Sequence, residues 1–216
     1  MLRLERTEVF GWEAAIRGMR NPKNSWSMSD SKWEFVEAPS SMNPNDKVRF
    51  VVGENDMKLA KTLAQAGSDH GKFLRMIVVT VDLTAPLYWW KEFDTYKVGT
   101  VANSCSTMHK IHAKKFDLDD FSHEHLMGCC RNELRRVADL LNACRAKFIE
   151  TKEKSYWWQM IQLLPSSYNQ RRTVQLNYEV LRNMYHARKN HKLDEWHTFC
   201  DWIEGLPYFK EIVLEG

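Results

Sequence analysis

The densest set of groups able to do chemistry lies between residues 171 and 192: Arg171, Arg172, Asn177, Arg182, Asn183, Arg188, Lys189, Asn190, His191 and Lys192. Guanidinium forks grip phosphate oxygens in pairs, and amide or imidazole groups read the edges of bases. Asn177, Arg188 and His191 fall close to multiples of the 3.6-residue helical repeat. That spacing predicts one Arg–Asn–His face, with Asn183 beside the apolar stripe Leu176, Val180 and Met184. A solvated charged helix face accounts for the same residues on spacing alone.

A second polar segment runs over about 88–110. It opens on Tyr88-Trp89-Trp90 and carries Glu92, Tyr96, Lys97, Thr100, Ser104, Cys105 and Ser106. A nucleophile among Ser104, Cys105 and Ser106 would support acyl transfer, but no G-x-S-x-G elbow surrounds them, and small hydroxyl residues after Gly99 also form turns. His109 and His112 are three apart, and His123 and His125 flank Glu124. Neither pair, nor His186, His191 and His197, gives a familiar three- or four-ligand set, so no metal is expected. No glycine-rich phosphate loop is present, which excludes the kinase and Rossmann readings.

These segments need elements to hold them. Residues 75–83, rich in β-branched side chains and followed by Pro86, predict the best strand. Stretches 33–36 and 48–52 predict a hairpin, and the Asn/Pro/Ser runs over 21–25 and 39–46 predict turns. Asn55 or Asp56 is expected to cap a helix carrying Met57, Leu59, Ala60, Leu63 and Ala64, stopped by Gly67. A short helix is expected over 91–97. Leu126, Cys130, Leu134, Val137, Leu141, Cys144 and Phe148 recur at helical steps and predict a long amphipathic helix over about 122–150. Further helix patterns run over about 170–189 and 192–204. One strong strand and several helices give an α/β (α+β) fold, long helices packed on a small central sheet, in a single domain over 1–216.

Composition narrows the class. The chain of 216 residues, 44% hydrophobic and 27% charged, can bury one sizeable core. A net charge of +3, with Lys and Arg interleaved among Asp and Glu, lacks the basic stripe of a nucleic-acid binder, so nucleic acid is not expected. Cys105, Cys129, Cys130, Cys144 and Cys200 are odd in number and contain no C-x-x-C, which argues against a disulfide scaffold or zinc site. No apolar run approaches the roughly 20 residues that span a bilayer, so a cytoplasmic protein without membrane contact is expected.

Two stretches resemble the flavin-dependent thymidylate synthases. Gly67-Ser-Asp-His70-Gly, followed by 76–93 with its core strand, Ala85-Pro86 and aromatic helix, is similar to the run that leads to that family's signature. Leu164-Pro165, Leu176-Asn177-Tyr178, Leu181-Arg182-Asn183 and Ala187-Arg188 before His191 are similar to its second conserved region, in the same order. The resemblance implies FAD as cofactor, with a folate one-carbon donor and NADPH, a dUMP-like pyrimidine nucleotide as substrate, and a homotetramer with sites at subunit interfaces. It implies that His70, Tyr96, Lys97, Asn177, Asn183 and His191 face the flavin. It implies that Glu92, Thr100, Ser104, Cys105, Ser106 and Arg188 line the substrate site, with Arg188 and Lys97 as the catalytic pair.

The signature itself departs from the family. Where the family has Arg-His-Arg, a following Ser, an Asn-Glu pair, another Ser and an Arg, this chain has Thr95-Tyr96-Lys97, Thr100, Ala102-Asn103, Cys105 and Thr107. Each guanidinium–phosphate hydrogen bond lost is worth about 1.5–3 kcal/mol, or roughly one to two decades of affinity. The expected function is therefore that of a divergent relative binding FAD and a pyrimidine deoxynucleotide and transferring a one-carbon unit to the ring. The alternative is a non-catalytic homologue that keeps the fold and binds a different nucleotide or serves a structural role. A third reading, a single-strand nucleic-acid module stacking bases on Trp89, Trp90, Trp157 and Trp158, rests on aromatic content alone.

Overall fold

The computed structural model describes residues 2–35 and 48–215; Val36 and the turn expected over 39–46 lie outside them. The elements in chain order are β1 (Arg3–Phe10), α1 (Trp12–Arg20), β2 (Lys32–Phe35), β3 (Val48–Val51), α2 (Glu54–Gln65), β4 (Val78–Pro86), α3 (Leu87–Phe93), β5 (Val101–Ser104), α4 (Thr107–Lys110), α5 (Gly128–Thr151), α6 (Lys154–Leu163), β6 (Asn169–Asn177), α7 (Tyr178–Arg188) and α8 (Asp194–Glu204). Four strands form one sheet in the order β1-β4-β6-β5, and β2 pairs antiparallel with β3 through Trp33↔Phe50 and Glu34↔Arg49. This is the mixed α/β architecture, small sheet and many helices, that the sequence predicts. The chain groups into two compact units: Met1–Thr7, Val81–Lys97 and Val101–Val174 make the first, and Glu8–Thr80, Val98–Thr100 and Gln175–Gly216 the second.

In the first unit, α5 packs on α6 and both close over Ile111, Phe116, Phe121, Leu134, Ala138, Leu141 and Met160. The predicted stripe is correct for Leu134 and Leu141, but the helix begins at Gly128, not near 122, and Cys130 is exposed. The aromatic triplet lies inside α3, which starts at Leu87 directly after Pro86 and ends at Phe93, not over 91–97. Trp89, Trp90 and Phe93 are each at most 1% exposed, so Trp89 and Trp90 cannot stack on bases, against the nucleic-acid reading. The first N–H groups of α3 are taken by the loop before β6: Leu87 donates to the Tyr168 carbonyl and Tyr88 to that of Ser166, at 3.0 Å each. The Ala-Pro and Leu-Pro stretches, far apart in sequence, thus meet through helix-end hydrogen bonds.

Residues 170–177 form a strand, a correction to the helix expected from 170. Val174 and Leu176 are buried while Thr173 and Gln175 are exposed, the period-two pattern of a sheet. Only from Tyr178 does the helical period begin. Six strands are present among the described residues; the sequence predicts β4 and the β2–β3 hairpin but not β1, β5 or β6.

The second unit is tied by a buried ion pair. Arg20 Nε lies 2.5 Å from Asp56 Oδ1, with side chains 4% and 0% exposed. The second Asp56 oxygen accepts from the Ser29 and Ser31 hydroxyls and from the Asp30 and Ser31 N–H groups. Asp56 is therefore not the cap of α2. That role falls to Asp30, whose carboxylate accepts the Asn55 and Asp56 N–H groups from outside the helix. Gly11 joins β1 to α1 at φ 89°, and a Cβ there would sit 2.0 Å from the Met76 carbonyl oxygen.

Burial alone would raise the Asp56 carboxyl, but hydrogen bonds from Ser31, Ser29 and Arg20 outweigh it and hold it below 3.8. A depressed folded value means the stabilisation is complete above 3.8 and is lost as pH falls through the folded value. Asp56→Ala strands Arg20 in the interior and is expected to lose about 3–5 kcal/mol in neutral-pH urea unfolding. Its acid unfolding profile is expected to be flatter than that of the parent protein.

Candidate functional site

In the first unit the candidate groups sit around the end of α3 and the join of β5 to β6. Glu92 and Tyr96 are half-buried and Lys97 is exposed, on α3 and the turn that follows it. Arg172, on β6, lies with its guanidinium 4.0 Å from the centroid of the Trp90 ring, and its Nη1 bonds Asp94 at 2.6 Å. Its Nε donates to Gln170 Oε1, while Gln170 Nε2 donates to the Cys105 carbonyl at 2.9 Å. The Cys105 N–H in turn donates to the Arg171 carbonyl. The chain at Ser104, Cys105 and Ser106 is thus pinned to β6 through its backbone, leaving three exposed side chains. The Ser106 hydroxyl accepts the His109 N–H and caps α4, so it is spent on structure.

On the same strands, Asp82 accepts Thr173 Oγ1 at 2.6 Å and Arg171 Nη2 at 2.7 Å, with Arg6 Nη1 at 3.7 Å. The Thr173 hydrogen bond, then that of Arg171, holds the Asp82 carboxyl below its ordinary range. Arg171 and Arg172 are therefore already paired with carboxylates. The sequence places both in the same basic crowd as the α7 residues, and the structure puts them on β6.

In the second unit, Asn177 stands before α7 with its Oδ1 accepting the Val180 N–H at 3.0 Å. It is the helix cap, and His191 lies beyond the helix end, so Asn177, Arg188 and His191 do not share the single helical face that spacing suggests. Gly99 lies against this cap: a Cβ on it would be 3.0 Å from Asn177 Nδ2 and from Val180 Cγ2. The adjacent Thr100 carries a buried Oγ1 with no hydrogen-bond partner among the described residues. Asn183 is exposed on α7, and His70 is exposed on the turn before Gly71. Arg182 donates to the Ala64 carbonyl, and Glu179 pairs with both Arg75 and Arg182.

At the far end of α7, Arg188 places its guanidinium 4.9 Å from the centroid of the Trp196 ring, and the His191 ring lies 6.2 Å from the same indole. His191 Nδ1 accepts the Leu193 N–H. Beside them opens a cleft of about 620 Å³ lined by Tyr185, Lys189, Asn190, His191, His197, Cys200, Asp201 and Glu204. The Glu204 carboxylate pushes the Tyr185 phenol up to about 12, and burial pushes the Cys200 thiol up to about 11. Neither is ionised near neutrality. The cleft offers one lysine, one amide, two imidazoles and a phenol beside the Asp201 and Glu204 carboxylates, and no activated nucleophile.

Within the second unit the structure thus brings Thr100 beside the Asn177 cap, and Arg188 beside His191, while His70 stands on a separate turn. Among the described residues no three His, Cys, Asp or Glu side chains gather into a metal-holding set. Nor is any helix long and apolar enough to cross a membrane.

No protein-family model matches the sequence, and no curated protein does. The fold does match. A structure of the flavin-dependent thymidylate synthase ThyX from Helicobacter pylori, complexed with FAD and dUMP, superposes with a TM-score of 0.67 at 14% identity, covering 99% of this chain and 98% of that one. A second structure of ThyX from the same organism, also with FAD and dUMP, gives 0.67 at 13% identity over 100% and 98%. The chain has a ThyX-like fold along its whole length.

The orphaned Thr100 hydroxyl carries a measurable consequence. Thr100→Val removes a buried, unpaired polar atom while keeping the side-chain shape. The unliganded protein is expected to gain about 1 kcal/mol in urea unfolding. A loss of that size would mean that the hydroxyl already has a partner.

Proposed function

We propose that this protein is a divergent flavin-dependent thymidylate synthase-like enzyme acting as one 1–216 domain, which binds FAD and a dUMP-like pyrimidine deoxynucleotide and transfers a one-carbon unit to the pyrimidine ring. The observation that carries the proposal is the full-length match of fold to ThyX structures containing FAD and dUMP. The residues present suit such ligands. Thr100 offers an unsatisfied hydroxyl beside a glycine whose hydrogen lets the chain approach the Asn177 amide, and α7 ends in an arginine seated on an indole. The bound flavin would carry the hydride, NADPH would reduce it, and a folate would donate the carbon.

The chain's own groups position these partners. Arg188, held flat by Trp196, would orient the pyrimidine nucleotide, and Lys97 would counter its phosphate. His70, Tyr96, Asn177, Asn183 and His191 would border the flavin, and Glu92, Thr100 and Ser104–Ser106 would line the substrate side. Sites shared between subunits of a homotetramer would let the two groups of residues come from different chains. A cytoplasmic location completes this reading.

A second reading is a non-catalytic homologue that binds another nucleotide or none. It is favoured by Thr95-Tyr96-Lys97 standing where the family carries Arg-His-Arg, which leaves one cation at that place.

The visible absorbance spectrum of the purified protein, with and without FAD and then dUMP, separates the two. Retained flavin bands that shift with dUMP are expected, with dUMP affinity falling by roughly one to two decades in Arg188→Ala and Lys97→Ala. A protein that takes up no FAD would leave the non-catalytic reading standing.

A further inference from the structure

The first turn of α5 presents two adjacent thiols that the proposed function does not use. Cys129 and Cys130 are both exposed, with their sulfurs 3.9 Å apart. Neighbouring Cα atoms lie about 3.8 Å apart, short of the roughly 4.4–6.8 Å that a disulfide ordinarily spans, so the pair is suited to remain as thiols. Its setting favours soft ligands. Met127, one residue before the helix, is 72% exposed and offers a thioether. A Cβ on Gly128 would meet nothing within 4 Å, so the approach is open. No acidic residue occupies the first turn, where free N–H groups favour a thiolate. The hydrogen bond between the two sulfurs raises Cys130, which favours its thiol form until a ligand displaces the proton.

The number of donors narrows the ligand. A structural zinc ion needs about four ligands, and no set of three His, Cys, Asp or Glu side chains occurs among the described residues. Two thiolates alone satisfy monovalent copper, which binds soft sulfur ligands, or an organoarsenic(III) whose third substituent is carbon.

We propose that Cys129 and Cys130 form a vicinal-dithiol site for soft thiophilic ions that two thiolates satisfy, the copper(I) and organoarsenic(III) class. With phenylarsine oxide, two As–S bonds form, the arsenic–oxygen bond breaks, and both thiol protons leave with the oxygen as water. Arsenic stays trivalent. Copper(I) displaces the same two protons without change of oxidation state.

The test uses native mass spectrometry on the full chain with two probes: phenylarsine oxide under excess 2-mercaptoethanol, and copper(I) delivered against bathocuproine disulfonate. The site predicts one probe per chain, removed by dithiothreitol, and weaker by about a hundredfold in Cys129→Ser and in Cys130→Ser, since each variant leaves a single sulfur without the chelate advantage. Cys144→Ser should bind as the parent does. Both test positions are exposed, and circular dichroism of each serine variant checks that α5 is retained. Binding of either probe with this pattern supports the site and shows which ion it takes. Retention of a probe in both single-serine variants, or uptake of neither probe by the parent protein, overturns it.

Discussion

Everything around the candidate site depends on β4 being an interior strand. Its residues Val79, Val81, Leu83 and Ala85 are at most 1% exposed, and alternation then forces Thr80, Asp82 and Thr84 onto the opposite face. A carboxylate in that position must be satisfied, and it recruits Thr173 and Arg171 from β6. With β4 and β6 so matched, the peptide after Pro86 arrives where the loop at 165–168 can accept the first N–H groups of α3. The same register brings Gln170 to the Cys105 carbonyl and Arg172 onto the Trp90 ring. One buried strand with a carboxylate on its other face thus goes with the ordering of α3, of the chain at Cys105 and of residues 166–173 within the first unit.

How much of this was legible in the sequence follows from how local each cause is. β4, α5, α8 and the β2–β3 hairpin are set by side chains close together in sequence, and their patterns were readable. The sequence predicts helix across β6 because Gln170-Arg-Arg-Thr offers no apolar alternation, and only Val174 and Leu176 show the period of two. Its strand character comes from pairing in the sheet, a non-local cause. Helix α1 lies outside the predicted elements, although Trp12, Ala15, Ile16 and Met19 follow the helical step and all four are buried. The capping of α2 was legible in kind but not in identity. Asp56 has the right chemistry at the right place, yet Arg20 claims it, and Asp30, remote in sequence, takes over the cap.

The candidate site was legible in a different way. Family resemblance selected Arg188, Asn177 and His191, while the physical argument offered for them, a common helical face, failed because α7 starts after Asn177 and ends at Arg188. What the structure supplies instead is specific to each residue: an amide that caps, an imidazole that accepts Leu193, and a guanidinium seated on Trp196. A guanidinium over an indole gains a cation–π attraction through its face. Arg171 and Arg172, equally basic in sequence, are committed to Asp82 and Asp94. Which partner each arginine takes is a property of the fold.

The same distinction explains how the signature departs from the family while the fold does not. Lys97, Val98, Val101, Ser104 and Cys105 are exposed, and exposed substitutions away from caps and buried networks usually change stability by no more than about 0.5 kcal/mol. Folding therefore places little constraint on the stretch that would meet the ligands, and sequence identity of 14% coexists with a shared architecture. Thr100 differs from its neighbours because its hydroxyl is buried and unpaired. Folding gains nothing from a hydroxyl there, since an apolar side chain of the same shape would avoid the desolvation penalty. Under the proposed function, a bound ligand would supply the partner that the described residues do not.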